Sequence, residues 1–561
     1  MNPSPARTAP PMVATALALI FGGLVLLLGA WALPVNLKSV SPTLLRQAGQ
    51  DTPSLSDYGR QLVDSEKPGP AALVLAAAQT VGDPRAPALA TALAAYGARQ
   101  PEFAAWGGWD PFLDPLFNLK ENTGRTGSTP VLTFFITEHA RESLRRYLSN
   151  SRSLGVQAVL QTHKATGMMH FIPAGQPGGQ PLDAVILLTA LLYQGEHLSP
   201  SLQREIKRLA DEAVSTGRLG DLEFFYLDLL ALGKRLNWVQ LCELLRLTDS
   251  TRTVSEYAHL AQVASDQLPL FYSAALFTDS ADSVARYLLT YGKTGAADLR
   301  FALGFREGAV RQLLSRQVPV NHGWTAPVDF AGAIALLHPR LTLIAKYFGY
   351  FLGAFFMLRG VDRWLLLPFR RAASSVREAR VLPRVQSGVM ALLLAFVLII
   401  ATEPFLLRAA PLSEYRFHLV IPMLANTATP AALPATSTRS TMATSTVISI
   451  GVFALLQVVT YLICLLKISE IDRQNIPVTL KLRLMENEEN LFDSGLYVGM
   501  MGTATALVLQ VMGVIDQNLL AAYSSNLFGL ICVAFVKIRH VRGYKRRLIL
   551  AAQATPAVHA A

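Results

Sequence analysis

Six apolar stretches run through this sequence, at 12–32, 341–358, 386–402, 447–466, 496–515 and 519–536. Each approaches the roughly 20 residues an α-helix needs to cross a bilayer. Lipid offers no hydrogen bonds, so a buried stretch must pair its own backbone groups, and a helix does this within one segment. The expected fold class is therefore mostly α: a polytopic α-helical membrane protein of about six spans. Between the first and second spans lies a long hydrophilic segment. It is expected to form a large exported, mainly helical domain, with a solenoid-like stack as one arrangement and a small α+β element inside it.

Charge placement sets the orientation. The net charge is +11, but Lys and Arg gather beside the apolar stretches, which reads as membrane topology and not as a nucleic-acid footprint. Loop 359–385 carries Arg359, Arg363, Arg370, Arg371, Arg377, Arg380 and Arg384, and the tail carries Lys537, Arg539, Arg542, Lys545, Arg546 and Arg547. Loop 403–446, though longer, has only Arg408, Arg416 and Arg439. Both termini are thus expected in the cytoplasm, with residues 33–340 in the periplasm of a bacterial inner (plasma) membrane. No Asn-x-Ser/Thr site occurs in that exported segment. Residues 1–33 are an N-terminal anchor or a signal peptide, since "AWA" at Ala30–Ala32 resembles a small-residue cleavage site.

Two charged residues touch the spans. Lys346 lies near one end of the second, where its stem can snorkel to the headgroups. Glu403 ends the third, before Pro404, at a level that water reaches.

The exported domain spans 34–340. Within it, 130–173 reads as the α+β element: "PVLTFFIT" is a strand, and "VQAVLQT" and "MMHFIP" flank a hairpin. Residues 183–316 read as helical hairpins with no fixed period, which suits either a solenoid or an irregular bundle. "WGGWDPFLDPLFNL" (Trp106–Leu119) either plugs its rings into the core or offers them to a partner or glycan. His163 and His170 are a histidine pair without further ligands, so no metal and no cofactor is expected. The sequence holds no Walker-A loop, HExxH, GxSxG or paired CxxC, so an envelope enzyme is the disfavoured class and no catalytic residue is assigned.

Residues 341–408 hold spans two and three with their basic loop, and 409–446 is an exported Pro/Ala/Ser/Thr linker, "ANTATPAALPATSTRSTMATST" at its core. Residues 447–538 form a three-helix core and 539–561 a basic cytoplasmic tail. Small residues in such spans let backbones approach where lipid supplies no drive between helices. Gly349 and Gly353 are read as one such contact, and Gly499, Gly502 and Gly529 as another.

The last contact has a more specific pattern. "GMMGT" (Gly499–Thr503) on the fifth span and "SNLFG" (Ser525–Gly529) on the sixth resemble the MotA/TolQ/ExbB proton-channel proteins. Leu496, Ala506 and Asn526 stand where that family typically has Pro, Gly and Thr. The resemblance implies a subunit of an ion-driven or transport complex. It also implies an ion path along Thr503, Thr505, Ser524, Ser525 and Asn526, completed by an Asp on a single-span partner inside a homo-oligomeric ring. No span carries a central Asp or Glu of its own. The other expected class is a non-enzymatic scaffold that binds a periplasmic protein or envelope partner through its exported domain.

Overall fold

The computed structural model describes residues 11–119, 127–135, 137–165, 182–322, 332–365, 382–406, 415, 444–511 and 519–554. The chain is mostly helical, and the described residues contain no strand, only one isolated bridge between Val40 and Val320. Two compact units emerge: residues 40–320 with 410–420, and the remainder.

The 40–320 unit closes on itself. Its first helix, Pro42–Gly49, packs against its last, Arg306–Arg316. Glycines make the approach possible: a Cβ on Gly49 would stand 1.6 Å from Phe305 O, and one on Gly308 1.9 Å from Ala48 O. Helix Pro68–Val81 packs on Leu268–Thr278 and on Trp238–Arg246, nearly two hundred residues away in sequence. A solenoid contacts only its neighbours in the stack, so this unit is an irregular bundle. Its ends meet as well: Val40 N donates to Pro319 O (2.9 Å), and Asp298 accepts from Val320 N (2.8 Å) and from the Tyr287 hydroxyl (3.1 Å).

The expected α+β element is corrected where it is described. Val131–Phe135 is a 3-10 turn and not a strand, and Leu154–Gln161 is an α-helix. Pro130 opens a tight turn, and Val131 N finds its acceptor on Leu236, so the segment needs no sheet partner. Val131, Leu132 and Phe135 still reach the core. "MMHFIP" lies outside the described residues, as does most of the 409–446 linker.

In the other unit, α1 (Pro11–Ala32), α2 (Pro339–Leu365) and α3 (Leu382–Thr402) make a first apolar bundle. A second is formed by α4 (Thr444–Arg473), α6 (Ser494–Val511) and α7 (Leu519–Ala534). Between α4 and α6 lies the short α5 (Val478–Asn487). Beyond α7 the helix continues through a π-helical stretch, Phe535–Val541, into α8 (Arg542–Ala554), which packs on α5. Much of the expected basic tail is thus ordered helix. Among the described residues, four stretches are long and apolar enough to cross a membrane: Ala14–Ala32, Pro339–Trp364, Phe453–Arg473 and Tyr523–Ala551.

Candidate functional site

Three clusters of polar side chains stand out, two in the apolar bundles and one in the 40–320 unit. The first is a seam between α6 and α7. A Cβ on Gly529 would lie 2.6 Å from Gly495 O, one on Gly499 3.0 Å from Ser525 O, and one on Gly502 2.2 Å from Ser525 Oγ. The two backbones therefore touch across glycine. Into this contact two hydroxyls converge on one oxygen: Thr503 Oγ1 donates to Gly499 O at 3.0 Å, and Ser525 Oγ to the same atom at 3.2 Å.

Of the other expected path residues, Asn526 borders the seam, Ser524 is half-buried beside it, and Thr505 is exposed on the outside of α6. The structure thus brings Thr503, Ser525 and the glycines together and leaves Thr505 out. The turn joining α6 to α7 lies outside the described residues.

One seam residue was absent from the expectation. Gln457 of α4 is buried, and its Nε2 donates to Gly495 O at 3.0 Å, while its backbone oxygen accepts from Cys532 Sγ at 3.5 Å. Its Oε1, like Asn526 Oδ1, is buried and meets no donor among the described residues. A lone amide in the apolar run "ALLQVVTYLI" was the available signal.

The second cluster caps the first bundle. Below it, α1 and α2 touch through small residues: a Cβ on Gly353 would stand 2.9 Å from Gly23 O, and one on Gly349 2.9 Å from Ala30 Cβ. Gly23, in turn, has room for none, with Met357 N at 2.6 Å. At the end of this contact the chain leaving α1 folds over α2 and α3. Lys346 Nζ donates to Val35 O (2.8 Å) and Asn36 Oδ1 (2.7 Å). Glu403 accepts from Leu37 N (2.9 Å) and from the Tyr347 hydroxyl (2.7 Å).

Lys346 is 3 % exposed and Glu403 1 %. This corrects both expectations. Lys346 does not snorkel, and Glu403 is not open to water, because residues 35–37 bring backbone partners to each. Two buried charges thereby gain the hydrogen bonds that burial demands.

The third cluster lies in the 40–320 unit. Trp106 is buried and stacks on Phe134, with ring centroids 3.8 Å apart, so this part of the aromatic loop is core. Trp109 is 39 % exposed. Asp110 accepts from Trp238 Nε1 (2.6 Å) and Phe112 N (2.8 Å). His197 Nε2 lies 3.2 Å from the same carboxylate. Burial alone would raise the Asp110 carboxyl, but His197 and Trp238 hold it below the usual carboxylate range.

His163 stands 3.7 Å from Asp183, which Arg141 and Arg145 also hold, while His170 lies outside the described residues. No group of metal-ligating side chains occurs among the described residues.

These features define a class: a mostly helical chain with several helices long and apolar enough to cross a membrane and one large separate helical unit. No protein family, curated protein or solved structure matches it.

Proposed function

We propose that this chain is a multi-pass protein of the bacterial inner membrane that acts as a non-enzymatic scaffold, holding a periplasmic helical unit for a protein or envelope partner. The carrying observation is the shared acceptor at Gly499 O. Both seam hydroxyls spend their protons on that carbonyl, and the glycines around it close the helices tightly. Such a seam favours packing over passage. In this reading all six apolar stretches span, both termini are cytoplasmic, and 33–340 is periplasmic; the Arg-rich 359–385 loop and basic tail support it. Reporter fusions at Gln203 and Ser374 test the topology, and an outside report at Ser374 contradicts it. Large side chains left on the 40–320 unit, among them Leu154 and Val263, suit a partner surface. Photo-crosslinkers at these two positions should yield a discrete adduct in cells. Absence of adducts there and at other exposed positions counts against the scaffold role.

A second reading keeps the ion-driven complex, with a single-span partner's Asp completing the path in a homo-oligomer. Its support is the pair of buried acceptors, Gln457 Oε1 and Asn526 Oδ1, at the seam. Proton flux through vesicles holding the protein and such a partner separates the two readings: the scaffold gives none above empty vesicles.

A further inference from the structure

The inner acids and bases of the second bundle are mostly matched. Lys467 pairs with Glu470 and Glu488, and Lys537 with Asp493 at 2.8 Å. The basic residues that follow are different. Arg539, Arg542, Arg546 and Arg547 are exposed and Lys545 is half-buried. None of the five has an ion-pair partner among the described residues, and α8 contains no acid. The helix is held by its other face: Val541 and Leu548 join a buried cluster with Met485, and the Tyr544 hydroxyl donates to Asp472 at 3.0 Å.

Position gives this charge its meaning. The chain runs as continuous helix from α7 into α8, with the exposed apolar Phe535 and Ile538 at the junction. At about 1.5 Å per residue, Arg539 comes roughly 5 Å and Arg542 roughly 9 Å past Val536. A headgroup layer is about 5–8 Å deep on each face of a bilayer. Lys545 to Arg547 follow within about one further Debye length of ~8 Å. We propose that Arg539–Arg547 is a docking surface for anionic phospholipid headgroups, formed by unpaired basic side chains on a helix pinned at the membrane exit of α7. Guanidinium groups suit it, since each can grip a phosphate with two parallel hydrogen bonds. The proposal rests on the membrane placement of α7 and is independent of the scaffold or ion-path role.

The test uses the full chain in vesicles of equal parts phosphatidylglycerol and phosphatidylcholine, with trace spin-labelled lipid of either kind reporting the annular preference. The wild type should prefer phosphatidylglycerol at low salt and lose that preference at high salt. In the variant Arg542→Gln/Lys545→Gln/Arg546→Gln/Arg547→Gln the preference should fall about tenfold or more. Arg542→Lys/Arg546→Lys/Arg547→Lys should retain most of it. A wild type without preference, or a Gln variant that keeps it, overturns the proposal. Should the Gln variant fail to insert, the salt titration of the wild type decides, and a salt-independent preference overturns it. Release of the protein by alkaline carbonate would instead refute the membrane placement of α7, and the docking surface with it.

Discussion

Thr503 and Ser525 donate to a single oxygen, the carbonyl of Gly499, from 3.0 and 3.2 Å. The two hydroxyls come from different helices, so this carbonyl is where α6 and α7 are joined. The join depends on missing side chains more than on hydrogen bonds. Gly529→Ala would place a methyl 2.6 Å from Gly495 O, against backbone that cannot swing aside. It should lower stability by about 1–3 kcal/mol through overpacking. The detergent melting midpoint reads this, and an unchanged midpoint would mean that the helices separate without cost.

The first bundle makes the same prediction at a second site. Gly349→Leu with Gly353→Leu drives bulk into Ala30 and Gly23 O of α1. The expected loss is about 1–3 kcal/mol or more, since neither contact can relax away from backbone. Cysteine crosslinking between α1 and α2 should fail in that variant; persistent crosslinking would show that the helices meet elsewhere.

Lys346 and Glu403 should differ in their response to neutralisation. Lys346→Met strips the charged donor from Val35 O and Asn36 Oδ1 and should cost about 2–3 kcal/mol. Glu403→Gln keeps an oxygen that can accept from Tyr347 or Leu37 and should cost less. Melting of both variants in one detergent checks the order, and equal or reversed losses would contradict these contacts.

These two residues also mark where sequence reading stops. Apolar stretches of bilayer length announce helices, because in lipid a helix alone satisfies its own backbone. The environment of Lys346 is set by residues 310 and 311 positions away, and that of Glu403 in part by one 366 away. No local pattern carries such information. "PVLTFFIT" misled for a related reason: its β-branched and aromatic residues suit a strand, but tertiary burial of Val131 and Phe135 in a 3-10 turn serves the same side chains. At the seam, the glycines and hydroxyls stand out in sequence, whereas Gln457 arrives from a different helix and announces only that a lone amide must find a partner.

Two carboxyls in the 40–320 unit should give opposite pH signatures. Asp228 is half-buried; burial pushes its carboxyl up to about 6, against a pull from Ser255. With the folded value above the unfolded one, its contribution is fully present below the ordinary carboxylate pKa of about 3.9 and is lost as pH rises through about 6. Asp228→Asn should therefore stabilise helix Asp221–Gly233 at pH 7.5, by about 1–2 kcal/mol after solvent screening, and bring little at pH 4. Asp110, held low, contributes above the ordinary carboxylate range and loses this as pH falls through its depressed value. Asp110→Asn should cost about 2 kcal/mol at pH 7, with the deficit shrinking at pH 3. Hydrogen exchange read segment by segment on the full chain separates the two, and a matching pH trend would contradict both assignments.

The most direct test of the packing seam compares Thr503→Val with Gly502→Leu in the full chain. Proton leak in vesicles and recovery of the intact assembly are measured side by side. Valine keeps the shape of threonine and removes one hydroxyl, whose bond to Gly499 O runs within α6, and even a bond between helices in lipid averages only about 0.6 kcal/mol. Leucine at 502 runs into Ser525 Oγ, already 2.2 Å from the first carbon it would add. The scaffold account predicts a nearly silent Thr503→Val, a Gly502→Leu chain that no longer assembles, and no leak in either the wild type or the valine variant. An ion-dependent leak in the wild type that Thr503→Val abolishes, with assembly intact, would contradict it and establish the seam as a path.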